Sequence, residues 1–167
     1  MVATELTNIG VDVEQVQPMV ENTRALMGAL PGQILFDAGY CSNTNLEYAK
    51  TIEAATAGAT EIFIATGRVK HGGRVRDVPR GRIPADATLR ERKVRKLKTR
   101  RGRAVYARRK AIVESVFGQI HARQGKFVLL RGLEQARHEW NLIAGCHNLM
   151  KLFSMQTQAA LAAPAGT

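Results

Sequence analysis

A chain of 167 residues with 45% hydrophobic residues and a formal net charge of +11 is one domain's worth of sequence, long enough to bury a real core. No apolar run approaches the ~20 residues of a membrane span, and the N-terminus lacks a signal-peptide pattern, so the protein is expected in the cytoplasm with no membrane partner. Cys41 and Cys146 are too few and too far apart for a disulfide framework, and no Cys-x-x-Cys or His-x-x-x-His pair offers a zinc site, so both thiols are expected to be free.

Taken in order, Met1 to Asn8 alternates apolar and polar residues and predicts a strand. Val13, Val16, Val20, Ala25 and Leu26 then give a helical pattern. Pro18 interrupts it, which puts the helix start near Pro18 with Asp12 as a turn or capping residue. Leu30 to Gly32 ends that segment. Gln33 to Asp37 reads as a short buried strand, Ala38 to Tyr40 as a turn, and Thr44 to Ala55 as a second helix capped by Ser42 or Asn43. Asp37 therefore sits at the carboxyl end of a strand, where open α/β sheets gather catalytic groups. The same Asp-x-Gly pattern also forms an ordinary turn in which the side chain bonds nearby amides, and both readings stand at this point.

Thr60 to Ala65 predicts another strand. Gly67 to Arg82 has no usable period and reads as an exposed loop, while Asp86 to Arg103 could become helical on phosphate. The charge is concentrated here: Thr66 to Lys110 holds 18 Lys and Arg against Asp77, Asp86 and Glu91. Such a concentration suits a partner carrying a line of phosphates, which rewards it by counterion release; the alternative is a solvated basic loop. Val105, Arg109, Ile112, Val113, Val116 and Ile120 form a core-facing helical stripe bordered by Phe117. Glu114 lies just off it, near Lys110 and His121, in otherwise basic and apolar surroundings. Its plain alternative is a surface carboxylate paired with Lys110. Gly125 to Gly132 predicts a bend, and Leu133 to Phe153 a long amphipathic helix with the stripe Leu133, Ala136, Trp140, Ile143, Ala144, His147 and Met150. His147 on that stripe reads as a hydrogen-bonded core residue, and Gln156 to Thr167 as a disordered tail.

Two segments carry a likeness to a known family. Phe36-Asp-Ala-Gly-Tyr-Cys-Ser-Asn43 and Tyr106-Ala-Arg-Arg-Lys-Ala-Ile-Val-Glu-Ser-Val-Phe-Gly-Gln-Ile120, followed by Leu130 to Trp140 and His147 to Leu152, resemble the C-terminal half of DDE-domain transposases of bacterial insertion sequences. The basic runs Pro79 to Pro84 and Arg95 to Gly102 resemble the stretch before the catalytic Glu in that family.

The resemblance implies an α/β, RNase H-like fold, here truncated: a mixed sheet flanked by helices, with a long basic insertion and C-terminal helices. Residues 1–65 would be a partial core, 66–106 a flexible DNA-contacting insertion, 107–154 the catalytic-Glu and C-terminal helices, and 155–167 the tail. In such a fold two Asp and one Glu hold two divalent ions, Mg²⁺ or Mn²⁺, which suit carboxylate oxygen and an in-line phosphodiester displacement. Asp37 matches the second Asp and Glu114 the Glu, as catalytic and metal-binding residues. The first Asp has no match, since Asp12 follows the first strand and opens a helix. The chain is therefore expected to be inactive alone, with its status as an enzyme open. His121 stands where the family usually has Lys, which weakens phosphate contact. Implied DNA contacts are Arg80, Arg82, Arg95, Lys96, Lys98, Arg100, Arg101, Arg103, Arg108, Arg109, Lys110 and His121. Expected partners are DNA, as transposon ends and target, the missing N-terminal half, and a second copy as a homodimer. The alternative from another class is a non-catalytic, basic nucleic-acid-binding remnant.

Overall fold

Parallel strands need a crossover long enough to carry the chain back, and the residues between Phe36 and Glu61 supply one. In the computed structural model, which describes residues 1, 3–67 and 81–162, β1 (Gln33–Phe36) and β2 (Glu61–Ile64) pair in parallel with Gln33 opposite Glu61 and Phe36 opposite Ile64. The helix between them covers one face. The chain divides into two compact units, one of Ile9–Ser115 and one of Met1–Asn8 with Val116–Thr167.

The first unit opens with a 3₁₀ turn at Asp12–Gln15 that runs into α1 (Val16–Met27). Asp12 is the first residue of that turn, as one of its two readings had it, and caps nothing: the turn's N-cap is Val11 and that of α1 is Gln15, neither with a side-chain bond, and α1 starts two residues before Pro18. Pro18 is tolerated there because first-turn N–H groups have no intrahelical acceptor. Val16 and Val20 are buried, whereas Leu26 is exposed, so the expected apolar pattern holds only in the first half of the helix. Gly28 ends α1 in the left-handed conformation at φ 72°, which glycine adopts without a Cβ clash.

Helix α2 (Asn43–Ala55) is capped by Ser42, whose hydroxyl accepts from the Asn45 amide at 3.1 Å. Leu46, Ala49 and Ile52 fall on one face and pack with Ile62 and Ile64 of β2, bordered by Ile34 and Phe36 of β1. The buried Asn45 side chain donates to the carbonyls of Val13 and Tyr40, both at 2.8 Å, and so ties the first turn to the loop after β1. Within the basic segment Leu89–Lys98 and the start of the helix from Arg100 are helical, whereas most of the loop expected at Gly67 to Arg82 lies outside the described residues. α3 (Leu89–Lys98) begins at a capping box in which Thr88 and Glu91 bond each other's amides. It packs on α2 and β2. α4 (Arg100–Gln124) follows after Thr99 alone, and the joint is so tight that a Cβ on Gly102 would lie 1.9 Å from the Lys96 carbonyl oxygen.

In the second unit α5 (Leu133–Ala162) continues well past Phe153, so the expected disordered tail is helical from Gln156 to Ala162; residues 163–167 lie outside the described set. Its run of Ala, Leu, Met and Gln favours the helix. Among the described residues of Met1–Asn8 the expected strand does not form. That segment follows α5 through side chains instead: the Met1 ammonium and carbonyl bond Asn148, Thr4 donates to Asn141, and Arg137 donates to the Leu6 carbonyl and pairs with Glu5 at 3.0 Å. Phe117 stacks on Trp140 at 6.1 Å, and Ala144 and His147 are buried. His147 is a core residue as expected, but its Nε2 has no hydrogen-bond partner. Both cysteines are free.

Candidate nucleic-acid interface and carboxylates

The loop after β1 fixes Asp37. Its Oδ1 accepts from the Gly39 amide at 2.8 Å, capping the 3₁₀ turn Ala38–Tyr40, and Oδ2 lies 3.8 Å from Nη1 of Arg109 on α4. The side chain is 46% exposed. Asp37 thus behaves as the turn residue that its Asp-x-Gly context allowed, and it faces a guanidinium. Arg109 also lies over the Tyr106 ring, 5.6 Å from its centroid. Burial holds the Tyr106 phenol above its ordinary pKa.

Glu114 is exposed, five residues after Arg109 and therefore about 140° around α4 from the face that meets Asp37. The Lys110 pairing is not formed among the described residues, and neither is a contact between Glu114 and Asp37. Among the described residues no group of three or more His, Cys, Asp or Glu could hold a metal ion. With one Asp37 oxygen on an amide and the other against a cation, these two carboxylates as arranged do not fit a pair of divalent ions.

The predicted DNA contacts split into pinned and free cations. Lys96 pairs with Glu53 at 2.9 Å and Glu61 at 3.7 Å and lies over the Phe63 ring. Arg101 grips Glu61 with both terminal nitrogens, and Arg95 donates to the Arg82 carbonyl at 3.0 Å. Arg100, Arg103, Arg108 and Lys110 are exposed along α4, with Lys98 half-buried on α3. His121 is exposed in the second unit, and Arg80 lies outside the described residues.

Sequence reasoning missed the group that seats α3. Lys93 is a buried lysine, its side chain 8% exposed, donating to Glu53 Oε1 and to the Ile62 carbonyl, each at 2.9 Å. Glu53 also accepts from the Ile62 amide at 2.8 Å. The bonds from Glu61 to Gly32 and from Ala65 to Phe36 turn odd-numbered β2 residues toward β1, so Ile62 faces outward. Its two backbone groups are closed by this side-chain pair where a further strand would otherwise be needed. Burial alone would raise the Glu53 pKa, but bonds from Lys93, Lys96 and the Ile62 amide outweigh it and hold the carboxyl below its usual range. Arg101, with Lys96, does the same for Glu61. Burial pushes Lys93 below the ordinary lysine value, partly offset by Glu53. The available signal was Leu89, Lys93 and Lys96 on one helix face, beside an apolar position.

Residues 80–153 match the family described as transposase DDE domain. No curated protein and no solved structure matches the chain. The matched stretch takes in α3, α4 and much of α5, including Glu114 but not Asp37, and is consistent with a fragment of a DDE transposase. It suggests a transposition-related function, and the family implies DNA as a partner and generally uses divalent metal ions. No helix among the described residues is long and apolar enough to cross a membrane.

Proposed function

We propose that the chain is part of a DDE transposase that holds DNA on the basic surface of α3 and α4. In the same reading it contributes Asp37 and Glu114 to a metal-dependent phosphodiester-transfer site of an RNase H-like core. The observation that carries this is the transposase DDE domain match over the segment that holds both the basic helices and Glu114. The charge supports it, with 18 cations against three acids between Thr66 and Lys110. The parallel β1–α2–β2 unit with Asp37 at the end of a strand is compatible with such a core.

A third carboxylate and a further strand would come from another segment of the transposase. The even-numbered residues Gly32 and Phe36 bond β2, which leaves the backbone groups of Gln33 and Leu35 on the open edge of β1. A groove of ≈ 310 Å³ runs along the whole of β1, walled by Met19 and Val20 of α1 and by Ile112 and Val113 of α4. An apolar slot beside backbone that no described residue pairs is suited to a strand buried on both faces.

The second reading, a non-catalytic nucleic-acid-binding protein, is favoured by the Asp37–Arg109 contact, because a carboxylate answering a guanidinium is a structural arrangement. Both readings require salt-sensitive binding to a nucleic-acid backbone. We expect the purified chain to bind duplex DNA with little sequence preference. Log affinity should fall steeply with log salt, by ~0.9 per phosphate neutralised. Affinity that is unchanged from low to high salt would overturn both.

A further inference from the structure

Lys50 lies on α2, outside the basic segment, yet it opens onto the same cleft as Arg92, Arg95, Lys96 and Arg101, a space of ≈ 1060 Å³ bounded by α2, α3 and the start of α4. Two carboxylates, Glu53 and Glu61, also line it, and both are already engaged, by Lys93, Lys96 and Arg101. Among the described residues, Lys50, Arg92 and Arg95 form no ion pair, though Arg95 acts through space on Glu91. The two guanidiniums are held in place by loop carbonyls: Arg92 uses Nε and Nη2 on Ala87, Ala85 and Pro84, and Arg95 uses Nη1 on Arg82. Each guanidinium carries five N–H donors, so donors remain on both. A fixed array of spare cationic donors in a concave surface matches the charge and acceptor geometry of a phosphate diester.

We propose that this cleft is a phosphodiester-binding site in which Lys50, Arg92 and Arg95 contact the nucleic-acid backbone, and that Glu53 is a positioning residue that forms it by holding Lys93 and Lys96 of α3 against β2. This rests on the nucleic-acid reading above. It also makes a prediction opposite in sign to simple electrostatics. Removing the Glu53 charge makes the surface more positive and by charge alone tightens binding; loss of the anchor lets α3 leave its seat and weakens it.

The test is fluorescence anisotropy of the full chain with duplex DNA of arbitrary sequence across a salt series. Lys50→Ala is expected to lower affinity severalfold and to reduce the salt slope by about one ion. Lys151→Ala, which removes an equal charge from α5, leaves both nearly unchanged. Glu53→Gln binds more weakly than wild type, whereas Ile52→Val, which trims the adjacent core, lowers stability but not the affinity of the folded protein. A Lys50→Ala variant that binds like Lys151→Ala, or a folded Glu53→Gln variant that binds more tightly, overturns the site while wild-type binding keeps the nucleic-acid reading. Wild-type protein that does not bind DNA even at low salt overturns the reading and the site together. If Glu53→Gln fails to fold, the two lysine variants still decide.

Discussion

Glu53 takes three hydrogen bonds on one oxygen, from Lys93, Lys96 and the Ile62 amide, and none of its donors is a neighbour in sequence. Burying a lysine is costly unless its charge is answered, so the carboxylate and the ammonium depend on each other. The direction of the pKa shifts sets a pH dependence. Glu53 and Glu61 sit below the ordinary carboxylate range in the folded chain, so they bind fewer protons there than in the unfolded chain. Their contribution is present above the ordinary carboxylate value of ~4.3 and is lost as pH falls through it toward the lower folded values. Lys93 acts oppositely: its lowered value opposes folding while charged, and the opposition is relieved only as pH rises. Thermal melts by circular dichroism should therefore show a drop in stability between roughly pH 5 and pH 3. That drop should be clearly smaller in Glu53→Gln, which should also lose about 2–3 kcal/mol at neutral pH by leaving Lys93 buried and unpaired. An acid limb identical to wild type in the variant would remove Glu53 from this role.

At the scale of elements, the joint between α3 and α4 is a single residue, Thr99. Thr99 donates to the Lys96 carbonyl at 2.8 Å and accepts from the Gly102 amide at 2.9 Å, closing one helix and opening the next with a single residue. Gly102 has to lack a side chain, because its Cβ position coincides with the Lys96 carbonyl. Gly102→Ala is therefore expected to cost about 1–3 kcal/mol by forcing the two helices apart. Gly118, farther along α4, has nothing within 4 Å of its Cβ position, so Gly118→Ala should stabilise by ~0.5–1 kcal/mol through helix propensity. Denaturant titrations of the two variants should give shifts of opposite sign; a neutral or stabilising Gly102→Ala would show that the joint gives way. In the sequence, the apolar stripe from Val105 to Ile120 announces α4, whereas Asp86 to Arg103 reads only as a segment able to become helical on phosphate. The closeness of the joint is invisible in it, since glycine at position 102 reads the same as glycine at 118.

For the whole molecule, the decisive feature is that Asp37 meets Arg109 while Glu114 points elsewhere on α4. Two-metal phosphoryl transfer needs carboxylates converging on both ions. The purified chain is therefore expected not to nick or join a terminal-repeat duplex with Mg²⁺ or Mn²⁺, in a gel assay run beside Asp37→Ala and Glu114→Ala. Cleavage by the wild-type chain that both substitutions abolish would show that the carboxylates reorganise into a working site without help. Legibility followed the range of the forces involved. The strands at Gln33 and Glu61, a cap at Ser42 or Asn43 and the long C-terminal helix could be read ahead because periodicity and capping are set by residues a few positions apart. The concentration of positive charge was legible for the same reason. The absence of a strand among the described residues of Met1–Asn8 was not, because alternation gives a segment two faces and does not supply the neighbouring strand that must hydrogen-bond it. Nor could the sequence tell which cations remain available to a partner: Lys93 and Glu53 are 40 positions apart, and only packing α3 onto α2 and β2 turns one basic residue into a buried anchor while its neighbours stay in solvent.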